Sequence, residues 1–224
     1  MRFFNDGLVP PGRVAHEQVA DFSALDTLPS WLTFDTTIVG GTAASMGLEN
    51  LDTGMGVARL NTQALNTKYA YLRRTRPIDL SVVKAVAVTI EGAALSANTE
   101  ANLSLDRFGT GGGLRYRSRT TTGNGSELMV INSSPSVAAT RPLPYIHWSA
   151  FSSTRVSRNF TMLYDCRDRS YALMMDDQVL DHDASAIFAD VPHGPIYPGI
   201  RITSIGAVVG SIVLQRIKFN WWTD

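Results

Sequence analysis

Arg115, Arg117 and Arg119 alternate with Tyr116 and Ser118. Strand periodicity puts their three guanidinium groups on one face. Arginine is always charged and forks onto carboxylate or phosphate. This face is therefore either a solvated sheet surface with carboxylate neighbours or an anion-seeking, subunit-docking one. The densest acidic run is Asp176, Asp177, Asp181, His182 and Asp183. Calcium takes several oxygen ligands at about 2.3–2.6 Å, which makes Asp177, Asp181 and Asp183 candidate ligands. Their spacing is not that of an EF-hand loop, and a solvated rim is the alternative reading. The large aromatics are Trp31, Trp148 and the adjacent Trp221 and Trp222. Neighbours on a strand point to opposite faces, so one of the last two packs and the other is exposed. Trp148 and Trp222 are the candidates for stacking on a sugar or anchoring a neighbour, with ordinary packing as the alternative.

Other chemistries find no support. Glycoside hydrolysis needs two carboxyl groups flanking one bond. Glu91, Glu100, Asp106 and Glu127 read as single acids on their strands, and Asp176 and Asp177 are adjacent, so they diverge. His16, His147, His182 and His193 show no metal-ligand spacing. The single cysteine, Cys166, ends an apolar strand shared with Phe160, Met162 and Tyr164, and reads as a buried small hydrophobe. Gly109 to Gly113 lacks a following lysine and helix, so it is a turn rather than a phosphate loop. Twenty basic and twenty acidic residues give zero formal charge, which argues against a nucleic-acid partner. Seventeen of the basic residues are arginine, a bias that the codon usage of a GC-rich genome explains. No run approaches the roughly eighteen apolar residues of a membrane span.

The elements that must position these residues are strands. Short runs rich in Val, Ile, Thr, Tyr and Phe alternate with Gly, Pro, Asn, Asp and Ser clusters, the pattern of a sandwich or barrel. Residues 1–22, with Pro10-Pro11, read as an extended N-terminal arm, and 23–224 as a single β-sandwich domain. In Tyr69 to Arg73, Tyr69, Tyr71 and Arg73 share one face and Ala70 and Leu72 the other. Val82 to Glu91 is the strongest strand, with Val82, Val86, Val88 and Ile90 on one face. Asn102 to Phe108 points Leu103 and Leu105 inward and pairs with Leu114 to Thr120. Phe160 to Cys166 pairs with Tyr171 to Asp176 across a tight turn. Eleven to thirteen strands are expected in all. The N-terminus shows no signal-peptide core.

The C-terminal half has an ordered grammar. Phe160 to Tyr164 is followed by a polar turn, then Tyr171 to Asp176, then Asp177-Gln178-Val179-Leu180. A proline-containing loop, Ile200 to Gly206 and Ile212 to Phe219 complete it. This order resembles the laminin-G-like, concanavalin A-like jelly roll, over about residues 30–222, with Gln178 where a glycine is expected. Arg76 to Ser81, before the Val82 strand, resembles that family's entry to its central strand. The resemblance implies an all-β, two-sheet antiparallel sandwich, with calcium at the rim as the one candidate cofactor. An arginine-rich jelly roll with a proline-containing arm is also similar to minor tail or accessory proteins of tailed bacteriophages. The expected role is therefore a non-catalytic structural or adhesion component of a virion. It would form a homo-oligomer, dock on other virion subunits through its arm, and take a host-surface glycan. The alternatives are a free carbohydrate-binding lectin and a concanavalin A-like glycoside hydrolase with acids from different strands.

Overall fold

The computed structural model describes residues 14–36, 44–50, 56–62, 69–107, 112–119, 126–131, 137–143, 158–176, 178–183, 191 and 194–223. Among them are seventeen strands and no helix. One sheet runs β14 (Gln178–Asp183), β13 (Ser170–Met175), β12 (Arg158–Asp165), β7 (Ala85–Leu95), β16 (Ser211–Leu214), β4 (Gly56–Asn61) and β3 (Ser45–Asn50). In the same sheet β17 (Arg216–Thr223) also pairs with β7, and β1 (Val14–Asp21) lies outside β17. The second sheet runs β11 (Val137–Leu143), β10 (Ser126–Ile131), β9 (Gly113–Arg119), β8 (Thr99–Asp106), β15 (Pro195–Ser204), β5 (Tyr69–Arg74) and β2 (Leu32–Thr36). The short β6 (Ile78–Asp79) adds to β15. Every pairing is antiparallel, so the all-β sandwich expected from the alternation is the fold.

The two-residue period explains the core. Val86, Val88 and Ile90 of β7, Phe160, Met162 and Tyr164 of β12, and Ile217 and Phe219 of β17 are buried on the inner face of the first sheet. They meet Leu103 and Leu105 of β8, Leu114 and Tyr116 of β9, Ile200 and Ile202 of β15 and Leu72 of β5. Tyr116 and Phe160 stack across the two layers at 6.2 Å. Each such large apolar side chain contributes about 1.5–3 kcal/mol by leaving water. Long β7 pairs with β12 along one edge and serves two neighbours along the other. Its first part pairs with β17 and its end with β16, and Gly92, at a φ of 57°, supplies the left-handed residue at the change.

The sequence predicts an extended arm over residues 1–22. Residues 1–13 lie outside the described residues, but Val14–Asp21 is a sheet strand, paired with β17 from Val14 opposite Thr223 to Asp21 opposite Arg216. Ala20 and Phe22 are buried in the core, so the sandwich includes the chain from Val14 on and not only from residue 23. Hydrophobic alternation in Val14, His16 and Gln18 is weak, which hides the strand in the sequence. Val82 does not line the core; it is 67% exposed. Asp79 folds a turn ahead of β7, accepting from Ser81 N at 2.9 Å and Ser81 Oγ at 2.7 Å, and its carbonyl accepts from Val82 and Val83. The turn delays the strand to Ala85.

Candidate functional site

On the side of the second sheet that points away from the core the residues are largely polar, and Tyr71, Arg73, Asn102, Ser104 and Asp106 among them are buried. Register places them in rows across the strands. One row reads Arg117 (β9), Asn102 (β8), Arg201 (β15), Tyr71 (β5) and Asp35 (β2). Beside it runs Arg115, Ser104, Gly199, Arg73 and Thr33. Five strands at their usual spacing make each row about 20 Å long. The inward neighbours are Tyr116, Leu103, Ile200, Ile202 and Leu72, all buried, and they fix which side faces out.

Gly199 makes the middle of this surface possible. A Cβ there would strike the Leu72 carbonyl oxygen, Arg73 Cα at 2.8 Å and the Tyr71 ring at 2.8 Å. The absent side chain lets the Tyr71 ring lie across β15, where its hydroxyl donates to the Tyr197 carbonyl at 2.6 Å. Burial pushes the Tyr71 phenol well above its ordinary pKa, so it remains a neutral donor.

The charges are mostly paired. Arg115 Nε reaches both Asp106 oxygens, at 2.9 and 2.7 Å. Burial pushes the Asp106 carboxyl above the usual carboxylate range, against the pull of Arg115 and the weaker effects of Arg201 and Ser104. Ser104 Oγ itself is buried and makes no hydrogen bond of ordinary length. Arg73 donates to Asp35 and lies 4.6 Å over the Tyr197 ring. Arg117 Nη1 approaches Glu100 at 3.8 Å. Arg201 differs. It stacks 4.3 Å over the Tyr69 ring, and burial, then the like charge of Arg115, lowers its pKa. Across from it, Asn102 is 2% exposed; its Nδ2 donates to Glu100 at 3.2 Å and its Oδ1 has no partner.

Arg115 and Arg117 thus share the expected face, with Asp106 and Glu100 as their carboxylate neighbours. The backbone of Arg119 continues that alternation opposite Glu100, and its side chain lies outside the described residues. Glu100 and Asp106 were read as lone acids on their strands. They share β8 and its outer face, because the strand starts at Thr99. Six residues separate them, or about 20 Å, beyond the roughly 5–9.5 Å of a glycosidase pair.

Trp222 is not an exposed stacking residue. It is 4% exposed and packs on Ala85, Ala87 and Leu163, on the far side of the first sheet from the main core. Its neighbour Trp221 is half-buried, between His16, stacked at 5.1 Å, and Arg74 at 4.7 Å. Trp148 and Asp177 lie outside the described residues, as does the side chain of Asp183. Asp181 is committed elsewhere, accepting from the buried Tyr171 hydroxyl. No group of three or more described His, Cys, Asp and Glu residues could hold a metal ion. The sequence reading missed Asn102, Arg201 and Asp35. The available signal was alternation: Arg201 stands between Ile200 and Ile202, and Asn102 precedes Leu103.

No protein-family model and no curated protein matches this chain. Solved structures do match in shape. The metal-free Emp46p carbohydrate recognition domain is 11% identical, with a TM-score of 0.60 over 89% of this chain and 94% of that one. A prokaryotic β-1,3-1,4-glucanase (lichenase) from a mouse hindgut metagenome is 11% identical, with a TM-score of 0.56 over 91% and 98%. The Lotus tetragonolobus seed lectin is 8% identical, with a TM-score of 0.56 over 94% and 100%. These likenesses identify the fold as a concanavalin A-like β-sandwich.

Proposed function

We propose that this protein binds carbohydrate on the outer face of its second sheet, without cleaving it. The observation that carries the reading is the row Arg117, Asn102, Arg201, Tyr71 and Asp35, which lines up two forked donors, an amide, a phenol and a carboxylate on one rigid layer. Sugar hydroxyls both donate and accept, and such side chains match them. Two of the similar structures are carbohydrate-recognising proteins by name, a recognition domain and a seed lectin, which supports binding. A third is a glucanase, so hydrolysis is the competing reading. The wide separation of Glu100 and Asp106 favours binding over hydrolysis.

A particle-borne adhesion role, with a homo-oligomer docked on other virion subunits, would use such a face as its host contact. Co-purification with an assembled particle tests that setting. The binding reading is tested on a glycan array, followed by calorimetry on the best glycan. Asn102→Ala and Arg117→Ala should each weaken binding about tenfold, the scale of one to two lost polar contacts. Release of reducing sugar from a bound glucan would replace binding with hydrolysis.

A further inference from the structure

The arginines of this face differ in what they are already doing. Arg115 is held on Asp106, Arg73 on Asp35, and Arg117 stands near Glu100. Among the described residues, no hydrogen bond or ion pair reaches the Arg201 guanidinium, which lies 4.3 Å over the Tyr69 ring. A guanidinium held over a ring and taking part in no hydrogen bond keeps its N–H donors unspent. Directly across the strand pair, Asn102 Oδ1 is a buried acceptor with no donor. A cation with no hydrogen-bonded counter-ion, which feels Asp106 only through space, and an unsatisfied acceptor, side by side in a largely buried place, are each costly.

We propose that Arg201 is an anion subsite in this face, and that its ligand is an acidic glycan whose carboxylate takes Arg201 while a ring hydroxyl reaches Asn102 Oδ1. The inference rests on the carbohydrate-binding reading above and narrows its ligand to the uronic-acid class. A carboxylate alone cannot satisfy both atoms, since it has no hydrogen to give Asn102 Oδ1. A carboxylated sugar carries both on one ring. A densely charged polyanion is disfavoured, because Asp106, Glu100 and Asp35 flank the spot and the whole chain has no net charge.

The test is calorimetry with a panel of oligouronates, each beside its methyl ester, which keeps the sugar and removes the charge. The expected result is binding of an acid form at least tenfold tighter than its ester. Arg201→Gln should remove that preference, and Asn102→Asp, which sets a negative charge beside Arg201, should do the same. Melting curves check that the variants fold. Arg201→Lys serves as a milder variant that keeps the charge and loses the fork, with a partial loss expected. Equal binding of acid and ester, or an unchanged preference in Arg201→Gln, overturns the subsite and leaves carbohydrate binding standing. Polyglutamate binding as tightly as the uronates overturns it too, by showing a surface for any anion. Failure to bind any glycan, neutral or acidic, brings down both readings.

Discussion

Arg115 and Asp106 show what a single pair contributes when one partner is buried. Asp106 is almost wholly removed from water, so its charge depends on the guanidinium that reaches both oxygens. Arg115→Ala should cost about 3 kcal/mol in a urea titration, because it strands a buried carboxylate. Arg115→Met combined with Asp106→Leu should recover most of that loss, since neither charge then remains. Cys166 gives a second expectation. Burial, and next to it the charge of Asp165, pushes its thiol up to about 12. At pH 8 it is protonated as well as covered, so iodoacetamide should leave it untouched in the native protein and label it once urea unfolds the chain. Rapid labelling of the folded protein would contradict its placement in the core.

At the scale of elements, the outermost strand of the first sheet is held by charges as well as by its ladder. Arg216 on β17 donates to Asp21 on β1 and, at 2.7 Å, to Glu91 on β7. Asp21 also accepts from Ser23 Oγ at 2.5 Å; that bond first, and Arg216 second, hold its carboxyl below the ordinary 3.8. The unfolded chain therefore takes up the proton first as pH falls. The stabilisation is complete above the ordinary value and is lost as pH drops through the lowered folded value. Asp106, with its carboxyl raised, acts in the opposite sense: its burial penalty is present when it is charged and is relieved by acid. Asp21→Asn should therefore flatten the decline of the urea midpoint as pH falls below about 4. Just past β1, Phe22→Ala should cost about 3–5 kcal/mol, the range for emptying a buried aromatic site. In the second sheet, Gly199→Ala should destabilise by about 1–3 kcal/mol, since the new methyl meets backbone that cannot move aside. It should also weaken carbohydrate binding, because it displaces the Tyr71 ring.

For the whole molecule, alternation made the layers readable before any coordinates. Leu103 and Leu105, Ala70 and Leu72, and Val86, Val88 and Ile90 all face inward as their spacing predicts. The orientation of Arg115 and Arg117 follows from the same period. What alternation does not encode is which strands become neighbours. Asn102 and Arg201 are separated by nearly half the chain, and only the pairing of β8 with β15 makes them adjacent. Trp222 shows a second limit: a period of two says that a residue leaves the main core, but not whether the other face is covered. The opening strand shows a third, because a weakly alternating segment is recruited by the partner it happens to meet. That recruitment sets Val14 opposite Thr223, so the polypeptide enters and leaves the sandwich through one doorway. Cargo fused ahead of residue 14 and cargo fused after residue 223 would hang side by side from a single pole. A short linker across that doorway, with the chain reopened at the exposed Val208-Val209 turn, should yield a rewired protein with an unchanged circular dichroism spectrum.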